Sequence, residues 1–258
     1  MKVLIKIGGT LLDDAATRAS IAAQIASLKG AAIAVVHGGG KQMTRFLEER
    51  GVQSTFVRGL RVTTPEIADA VLKVFAGSVN SQLVASLNAA GGRAVGLTGI
   101  DAGLAVAEQL DPELGMVGRV VRSDARLLDT LTHDGYLPVV ACVAGGVLGE
   151  VFNVNGDSMA VAVARGWRAD RLIFLTDVAG VLNGSKQIVP VLTVAGCEEL
   201  IASGVASGGM QAKLEAACDA VQNGVGEVRI VCGSDPDIVG RVMTGDSSGT
   251  AVVKGRES

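Results

Sequence analysis

The chain has 258 residues, of which 48% are hydrophobic and 35 are glycine, and its formal net charge is −3. This length is sufficient for one large α/β domain or for two lobes that share a sheet. The small net charge, without a basic block, argues against a nucleic-acid surface, and we find neither a signal peptide nor the run of roughly 20 apolar residues that spans a bilayer.

Apolar, β-branched runs alternate along the chain with longer amphipathic segments. The runs predict strands at 2–7, 31–37, 93–98, 137–143, 171–176 and 227–232. The segments between them predict helices at 14–29, 41–50, 65–90, 122–135, 157–168, 194–203 and 209–224. Asp13 and Asp157 stand at the expected N-cap positions of two helices. This βαβ order predicts a mainly parallel sheet with helices on both faces.

Two regions interrupt this order. Residues 103–121 predict a β-hairpin that turns at Asp111–Glu113. Residues 147–155 predict a shorter pair of strands that turns near Gly149.

No change in composition marks a linker, and we find no internal repeat and no low-complexity segment. We therefore expect residues 1–258 to form a single domain. Its two lobes, at about 1–168 and about 169–258, are expected to share one continuous sheet.

Two predicted strands end in glycines. The first ends in Gly8–Gly9 and carries Lys6 just before them, and the second ends in His37, followed by Gly38–Gly40. Glycines leave backbone N–H groups open to an anion, and two such strand ends in a parallel sheet form one binding site. Lys6 is costly in an apolar strand unless its charge is paired, and a bound phosphate is the simplest partner. A half-buried lysine before an ordinary turn is the alternative, and for His37 we favour a hydrogen-bonded structural role.

Later clusters place polar groups at strand ends and helix starts. Asn153 and Asp157 lie in a segment that leads into an apolar helix, where a turn with a capping aspartate is the alternative explanation. In Ser207–Lys213, glycines open a helix and Lys213 follows near its positive end, which favours phosphate, although a solvated helix lysine has the same pattern. Asp177 ends an apolar strand, where it either accepts ribose hydroxyls or caps the turn.

Absent motifs exclude several classes. The chain has neither G-x-x-x-x-G-K-[ST] nor, after its first strand, G-x-G-x-x-G, which disfavours a P-loop enzyme and a Rossmann dehydrogenase. Phosphates would be bound instead by two lysines far apart in sequence and by glycine backbone. The four cysteines form no C-x-x-C pair, and two histidines are too few to complete a zinc site with them, so we expect free thiols in a reducing cytoplasm.

Six motifs occur in a fixed order along the chain. They are K-x-G-G at 6–9, V-x-H-G-G-G at 35–40, G-L-R-V-T at 59–63, N-V-N-x-D at 153–157, L-T-D-V-x-G at 175–180 and G-G-M-x-x-K at 208–213. Each is weak alone, but the series resembles the amino acid kinase family from Lys6 to about Gly249. The resemblance implies a three-layer αβα sandwich of the carbamate kinase-like type, with a mainly parallel open sheet of about eight strands. It also implies an acyl amino acid site in the N-terminal lobe and an ATP site in the C-terminal lobe.

The resemblance also implies roles for single residues. Lys6 and Lys213 match the two lysines that stabilise the transferring phosphoryl group in this family, and Asp157 matches the aspartate that orients them. Arg61 matches the arginine that binds the substrate α-carboxylate, a task that suits a planar guanidinium. Asn153 matches a substrate-binding asparagine. The amides of two glycines match those that bind the substrate side-chain carboxylate: Gly39 and Gly40.

The ATP site implied by the resemblance lies on two glycine-rich turns and two later loops. Its residues would be Gly8, Gly9, Asp177, Val178, Gly180, Val181, Leu182, Val205, Ala206 and Ser207. Magnesium would be bound mainly by ATP oxygens, so the resemblance implies no dedicated metal site in the protein.

Within the family, the motifs most resemble kinases that phosphorylate the side-chain carboxylate of N-acetyl-L-glutamate in arginine biosynthesis. A carboxylate is already a nucleophile at neutral pH, so the reaction needs no general base. The two anionic substrates repel each other, so it does need cations and oriented amides at the transferring phosphate.

The resemblance implies a cytoplasmic homodimer without nucleic-acid or membrane partners. Arginine-inhibited relatives carry an extra helix before the first strand, and only Met1 and Lys2 precede the apolar run of that strand here, so we expect no arginine feedback of that type. Lys41 follows the three glycines where many relatives carry proline, which would alter the entrance to the substrate site but keep the amides. The helix at 65–90 has an apolar face that we expect either at the dimer contact or packed on the sheet: Ile67, Val71, Val74, Phe75 and Val79.

Two other functions stay open. A kinase for N-acetyl-aminoadipate of lysine biosynthesis differs by one methylene in its substrate, which a pocket discriminates by only ~1–3 kcal/mol. The G-L-R-V-T spelling favours glutamate, and uridylate and carbamate kinases share the fold without this arginine context. A non-catalytic ligand sensor on the same fold is the second alternative, but it would not require Lys6, Asp157 and Lys213 together.

Overall fold

Strand β1 (Lys2–Ile7) lies at the centre of the molecule, and its apolar residues are fully buried. The computed structural model describes residues 1–255, and residues 256–258, the end of the predicted C-terminal lobe, lie outside them. The other strands are β2 (Ala32–His37), β3 (Phe56–Val57), β4 (Leu60–Arg61), β5 (Ala94–Thr98), β6 (Ala105–Gln109), β7 (Val117–Ser123), β8 (Leu137–Ala141), β9 (Val143–Gly145), β10 (Val151–Val154), β11 (Arg171–Thr176), β12 (Val191–Thr193), β13 (Glu227–Cys232) and β14 (Thr250–Val253).

The main sheet has eight strands in the order β12-β14-β13-β11-β1-β2-β8-β5. β1 pairs in parallel with β2 on one side and with β11 on the other, so that Ile7 lies opposite both His37 and Leu175. β14 runs antiparallel to β13, and β12 runs parallel to β14. The predicted mainly parallel sheet is confirmed. Because the chain leaves β1 in one direction and later returns on its other side, the carboxyl end of β1 is a topological switch point, where such sheets bind ligands.

Helices cover both faces of this sheet. They are α1 (Ala15–Ser27), α2 (Gly40–Glu48), α3 (Pro65–Val71), α4 (Asn80–Ala89), α5 (Arg126–His133), α6 (Gly156–Trp167), α7 (Val194–Ala202), α8 (Gly208–Gln222) and α9 (Ile238–Met243). Helix α1 packs with α4 and α9, whereas α6 packs with α5 and α8. These two groups form the outer layers of the predicted αβα sandwich.

Two helix caps differ from the sequence prediction. Asp14 caps α1, since its carboxylate accepts from the backbone N–H of Thr17 at 2.7 Å, so the prediction of Asp13 was wrong by one residue. Asn155 caps α6, since its Oδ1 accepts from the backbone N–H of Asp157 at 2.9 Å. The prediction of Asp157 as the cap was therefore also wrong, and its carboxylate is free for contacts in the molecule's interior.

Residues 65–89 form one helical segment, in which the π-helical stretch Leu72–Val79 joins α3 to α4. With a mean hydropathy of 1.3, it is the one helix in residues 1–255 with the length and composition to cross a membrane, a test that the core helices of soluble proteins also pass. Its predicted apolar face is at most 7% exposed within this single chain. Of the two expectations for that face, packing inside the chain is the one observed.

Strands β6, β7, β9 and β10 form a small closed barrel beside the sheet. The predicted hairpin at 103–121 is confirmed as β6 and β7, joined by a short turn at Pro112–Leu114. The predicted pair near Gly149 is formed by β9 and β10, but β9 begins at Val143, ahead of the predicted segment. The sequence did not predict β3, β4, β12 or β14, because two to four residues are too few to show a period.

We predict that one substitution has opposite effects at two helix glycines. A Cβ at Gly166 in α6 would lie 2.6 Å from Ser123 Oγ, so Gly166→Ala should lower the free energy of unfolding by about 1–3 kcal/mol. A Cβ at Gly77 would meet only Leu72 O at 3.7 Å, so Gly77→Ala should raise it by about 0.5–1 kcal/mol. Urea unfolding measures both effects. A Gly166→Ala protein as stable as the native one would contradict the packing of α6 against β7.

Candidate active site

One buried carboxylate lies between two lysines from distant parts of the chain. Lys6 Nζ, from β1, lies 2.7 Å from Asp157 Oδ1. Lys213 Nζ, from α8, donates to Asp157 Oδ2 at 3.0 Å. These side chains are 10–17% exposed. The structure thus brings together the three residues predicted to be catalytic.

The charges of this cluster do not cancel. Burial alone would raise the pKa of the Asp157 carboxyl, but the ammonium groups of Lys6 and Lys213 outweigh it and hold that pKa below its usual value. Neither lysine has a second carboxylate partner among residues 1–255. One positive charge therefore remains without a protein partner, and a second anion would stabilise the cluster.

The two glycine turns lie against each other at the carboxyl ends of β1 and β2. A Cβ on Gly9 would lie 3.0 Å from Gly40 N and 3.2 Å from Gly39 N, so the close approach requires glycine at position 9. Within residues 1–255, the N–H groups of Gly39 and Gly40 have no hydrogen-bond partner. Gln42 Nε2 donates to Gly9 O at 3.2 Å and links the turns. Two unpaired amides beside a glycine turn are suited to bind an anion.

Arg61 in β4 is only 8% exposed, and α2 positions its guanidinium. Nη2 donates to Thr44 Oγ1 at 2.7 Å and to Gly40 O at 3.3 Å, and Nη1 donates to Ser54 Oγ. The Phe56 ring centroid lies 4.7 Å from the guanidinium carbon, within the range of a cation–π contact. Since a guanidinium has five N–H groups, about two remain for a further partner.

A cavity of about 230 Å³ lies between the glycine turns, the β3–β4 hairpin and the start of α6. Asn153 Nδ2 donates to Thr63 Oγ1 at 3.0 Å, which leaves its Oδ1 for another contact. The cavity walls contain six of the predicted site residues: Lys6, Gly9, Gly39, Gly40, Arg61 and Asn153.

The remaining predicted ATP residues lie outside this cavity, on loops at the carboxyl edge of the sheet. One loop follows β11 and the other precedes α8, which begins after Ser207. Gly8 N donates to Leu175 O at 3.0 Å and joins the first glycine turn to the end of β11. Asp177 and Gly180 lie in the loop that starts at that strand end.

Some of the predicted ATP residues on these loops are exposed to solvent and others are buried. Val178, Leu182 and Val205 are 39–45% exposed, so each presents an apolar side chain to solvent. Val181 and Ala206 are at most 4% exposed. Their N–H groups donate to Thr250 Oγ1 at 2.8 Å and to Leu200 O at 2.9 Å respectively, so neither N–H is available to a ligand.

Asn155 and Phe56 line the cavity, although no site role was predicted for either. The position of Asn155 was readable from the sequence, because an asparagine two residues before Asp157 has the spacing of an Asx turn. Phe56 covers Arg61 only because β3 pairs with β4, and two-residue strands give no sequence pattern.

Comparisons with known proteins cover most of the chain. The sequence pattern described as the amino acid kinase family matches residues 1–232. An acetylglutamate kinase from Solibacter usitatus (strain Ellin6076) is 58% identical over 98% of this chain and 99% of its own length. An acetylglutamate kinase from Jannaschia sp. (strain CCS1) is 41% identical over 92% of this chain and 84% of its own length.

Solved structures share the fold at low sequence identity. N-acetylglutamate synthase from Neisseria gonorrhoeae, complexed with coenzyme A and N-acetyl-glutamate, superposes with a TM-score of 0.87 at 23% identity, over 99% of this chain and 60% of that one. Giardia carbamate kinase superposes with a TM-score of 0.74 at 15% identity, over 98% and 99% of the two chains. The chain therefore belongs to the amino acid kinase family.

Proposed function

We propose that this chain transfers the γ-phosphoryl group of ATP to the side-chain carboxylate of N-acetyl-L-glutamate, giving N-acetyl-L-glutamyl 5-phosphate in arginine biosynthesis. The proposal is supported by relatives named acetylglutamate kinase that match nearly the full length of both chains. The observation that carries it is that Lys6 lines a cavity with unpaired glycine amides and is joined through Asp157 to Lys213.

The lysine pair suits a transferring phosphoryl group. Charge spreads over the three equatorial oxygens of that group, and fixed cations stabilise it without reorganisation during the reaction. Asp157 offsets the repulsion between the two ammonium groups and holds both in place. Gly156 opens α6 beside Lys6 and adds the positive end of a twelve-residue helix.

The other end of the cavity suits a dicarboxylic acceptor. The unpaired amides of Gly39 and Gly40 would bind the side-chain carboxylate and direct it in line with the phosphate. The remaining N–H groups of Arg61 would bind the α-carboxylate. The free Oδ1 of Asn153 would accept the N–H of the acetamido group.

The nucleotide would lie across the carboxyl ends of β1 and β11, with its phosphates at Gly8 and Gly9. The exposed apolar side chains of Val178, Leu182 and Val205 would contact the base. The donors beside the phosphate site are ammonium and amide N–H groups, which cannot ligate Mg²⁺. Residues 1–255 also hold no cluster of three or more His, Cys, Asp or Glu that would bind a metal. Magnesium would therefore reach the site bound to the ATP oxygens.

The assembly is part of the same proposal. We assign acceptor binding and dimerisation to the lobe at about 1–168 and ATP binding to the lobe at about 169–258. The enzyme would act as a homodimer in the cytoplasm, without a nucleic-acid or membrane partner.

The reaction can be tested by trapping the acyl phosphate with hydroxylamine as a hydroxamate. We expect ATP-dependent hydroxamate with N-acetyl-L-glutamate and little with N-acetyl-L-aminoadipate, free glutamate or aspartate. A signal mainly with aminoadipate would keep the mechanism and change the substrate. No signal with any acceptor, from folded protein that binds ATP, would reject the proposed function.

Removal of either lysine should act on turnover more than on folding. Lys6→Met and Lys213→Met each leave Asp157 with one ammonium partner, so we expect native-like thermal unfolding but a kcat lower by about 10²–10³-fold. Lys29→Met, at an exposed position near the opposite edge of the sheet, is the matched control. A near-normal kcat in either site variant would reject the role given to that lysine.

Arg61 should determine acceptor binding. Arg61→Lys keeps the charge but loses the planar pair of donors, so we expect the KM for N-acetyl-L-glutamate to rise about 10–100-fold while the KM for ATP stays unchanged. Arg50→Lys, at an exposed site, is the control. Equal increases in both KM values would show that the substitution disturbs the whole site.

A further inference from the structure

His37 closes β2 and is completely buried, although no step of the proposed reaction uses it. Its Nδ1 lies 2.9 Å from the carbonyl oxygen of Gly38. Its Nε2 lies 2.9 Å from Nδ2 of Asn80, the first residue of α4. The ring thus joins the second glycine turn to a helix on the sheet face.

These partners determine the tautomer and the charge of the imidazole ring. A carbonyl oxygen only accepts, so Nδ1 carries the proton, and Nε2 then accepts from the Asn80 amide. Burial lowers the pKa of His37 to about 4, so the ring is neutral at physiological pH. A proton on Nε2 would face the Asn80 amide hydrogens, which reinforces the neutral form.

Asn80 is itself held in one orientation. Its Nδ2 also donates to Val139 O at 2.9 Å, which requires the amide nitrogen, and not the oxygen, to lie on this side. Its Oδ1 packs against Gly96 of β5, where an added Cβ would overlap it. Asn80 therefore presents a hydrogen-bond donor to His37 in a fixed position.

The consequence concerns the peptide between Gly38 and Gly39. In a trans peptide the C=O and N–H groups point to opposite sides. When His37 holds the carbonyl of Gly38, the N–H of Gly39 points away from the ring, on the side where its nitrogen approaches the Gly9 turn. Glycine peptides reorient easily, so this direction needs an external constraint.

The same helical segment supports the turn directly. A Cβ on Gly39 would lie 2.9 Å from Phe75 Cδ1 and 3.3 Å from Val79 Cγ2, both in the π-helical stretch that leads to Asn80. Stretches of π-helix are frequent at functional sites. One helix therefore contacts Gly39 and also fixes the ring that orients its peptide.

We infer that His37 and Asn80 are positioning residues that hold the Gly39 N–H toward the acceptor carboxylate, an inference that rests on the proposed phosphoryl transfer. Loss of the bond from Nδ1 to Gly38 should weaken binding of the acyl amino acid and leave ATP binding unchanged. Loss of the Asn80 bond alone should matter less, because Nδ1 can still hold the carbonyl.

Two substitutions separate the bonds of the ring. In His37→Asn the amide nitrogen replaces Nδ1 and keeps the donor to Gly38 O, whereas in His37→Gln the amide oxygen replaces Nε2 and keeps only the acceptor for Asn80. We expect His37→Gln to raise the KM for N-acetyl-L-glutamate about tenfold or more, the loss of one charge-assisted hydrogen bond, and His37→Asn to raise it less than about threefold. The KM for ATP should stay unchanged in both.

Leu83→Ala is the control for a merely structural role, because Leu83 is buried in α4 one turn after Asn80 and touches neither bond. It should lower the melting temperature without changing either KM. If His37→Gln behaves like Leu83→Ala, or if both His37 variants change the two KM values equally, the inference is wrong.

A measurement on the native protein covers the case in which the variants do not fold. The chain has two histidines, so ¹⁵N-histidine NMR resolves His37 from the exposed His133. We expect His37 to carry its proton on Nδ1 between about pH 5.5 and 7.5, and its signals to shift on addition of N-acetyl-L-glutamate but not of an ATP analogue. A proton on Nε2, or no response to the acyl amino acid, overturns the inference. This readout needs no turnover, so it is independent of a failed hydroxamate assay.

Discussion

The rest of the site depends on one buried carboxylate between two ammonium groups. Asp157 joins β1 to α8 through Lys6 and Lys213, so the strand and the helix that would bind phosphate keep a fixed spacing. Buried ion pairs add little net stability, because desolvation offsets most of their attraction. The arrangement also leaves one positive charge in excess. Buried ion pairs and an excess charge are costly for a purely structural cluster, but they are suited to a site that holds a transferring phosphoryl group.

The fold places these charges where backbone can assist them. β1 is flanked by β2 and β11, so three strand ends and their loops meet at one edge of the sheet. Two of these ends are glycine turns in close contact, and their unpaired amides line one cavity together with Lys6. The acceptor side is closed by the β3–β4 hairpin, which carries Arg61. Cations therefore act on the phosphate, whereas amides and a guanidinium act on the acceptor.

The sequence predicted those strands and site residues that produce a pattern within a few neighbouring positions. Long apolar runs gave the six main strands, and Lys6 was noticed because a charge in such a run needs a partner. The N-cap role given to Asp157 was wrong, because Asn155 competes for the same position and only the packing of β1 and α8 shows where the carboxylate points. Asn80 gave no signal, since its partners lie on β2, β5 and β8.

The contact between Asn80 and Gly96 limits which substitutions this chain can accept. A larger residue at position 96 would displace Asn80 Oδ1, and a smaller residue at position 80 would leave His37 Nε2 without a donor. Positions 37, 80 and 96 thus form a mutually dependent set, although they lie on three separate elements. A substitution at one of them therefore changes which residues the other two positions can accept.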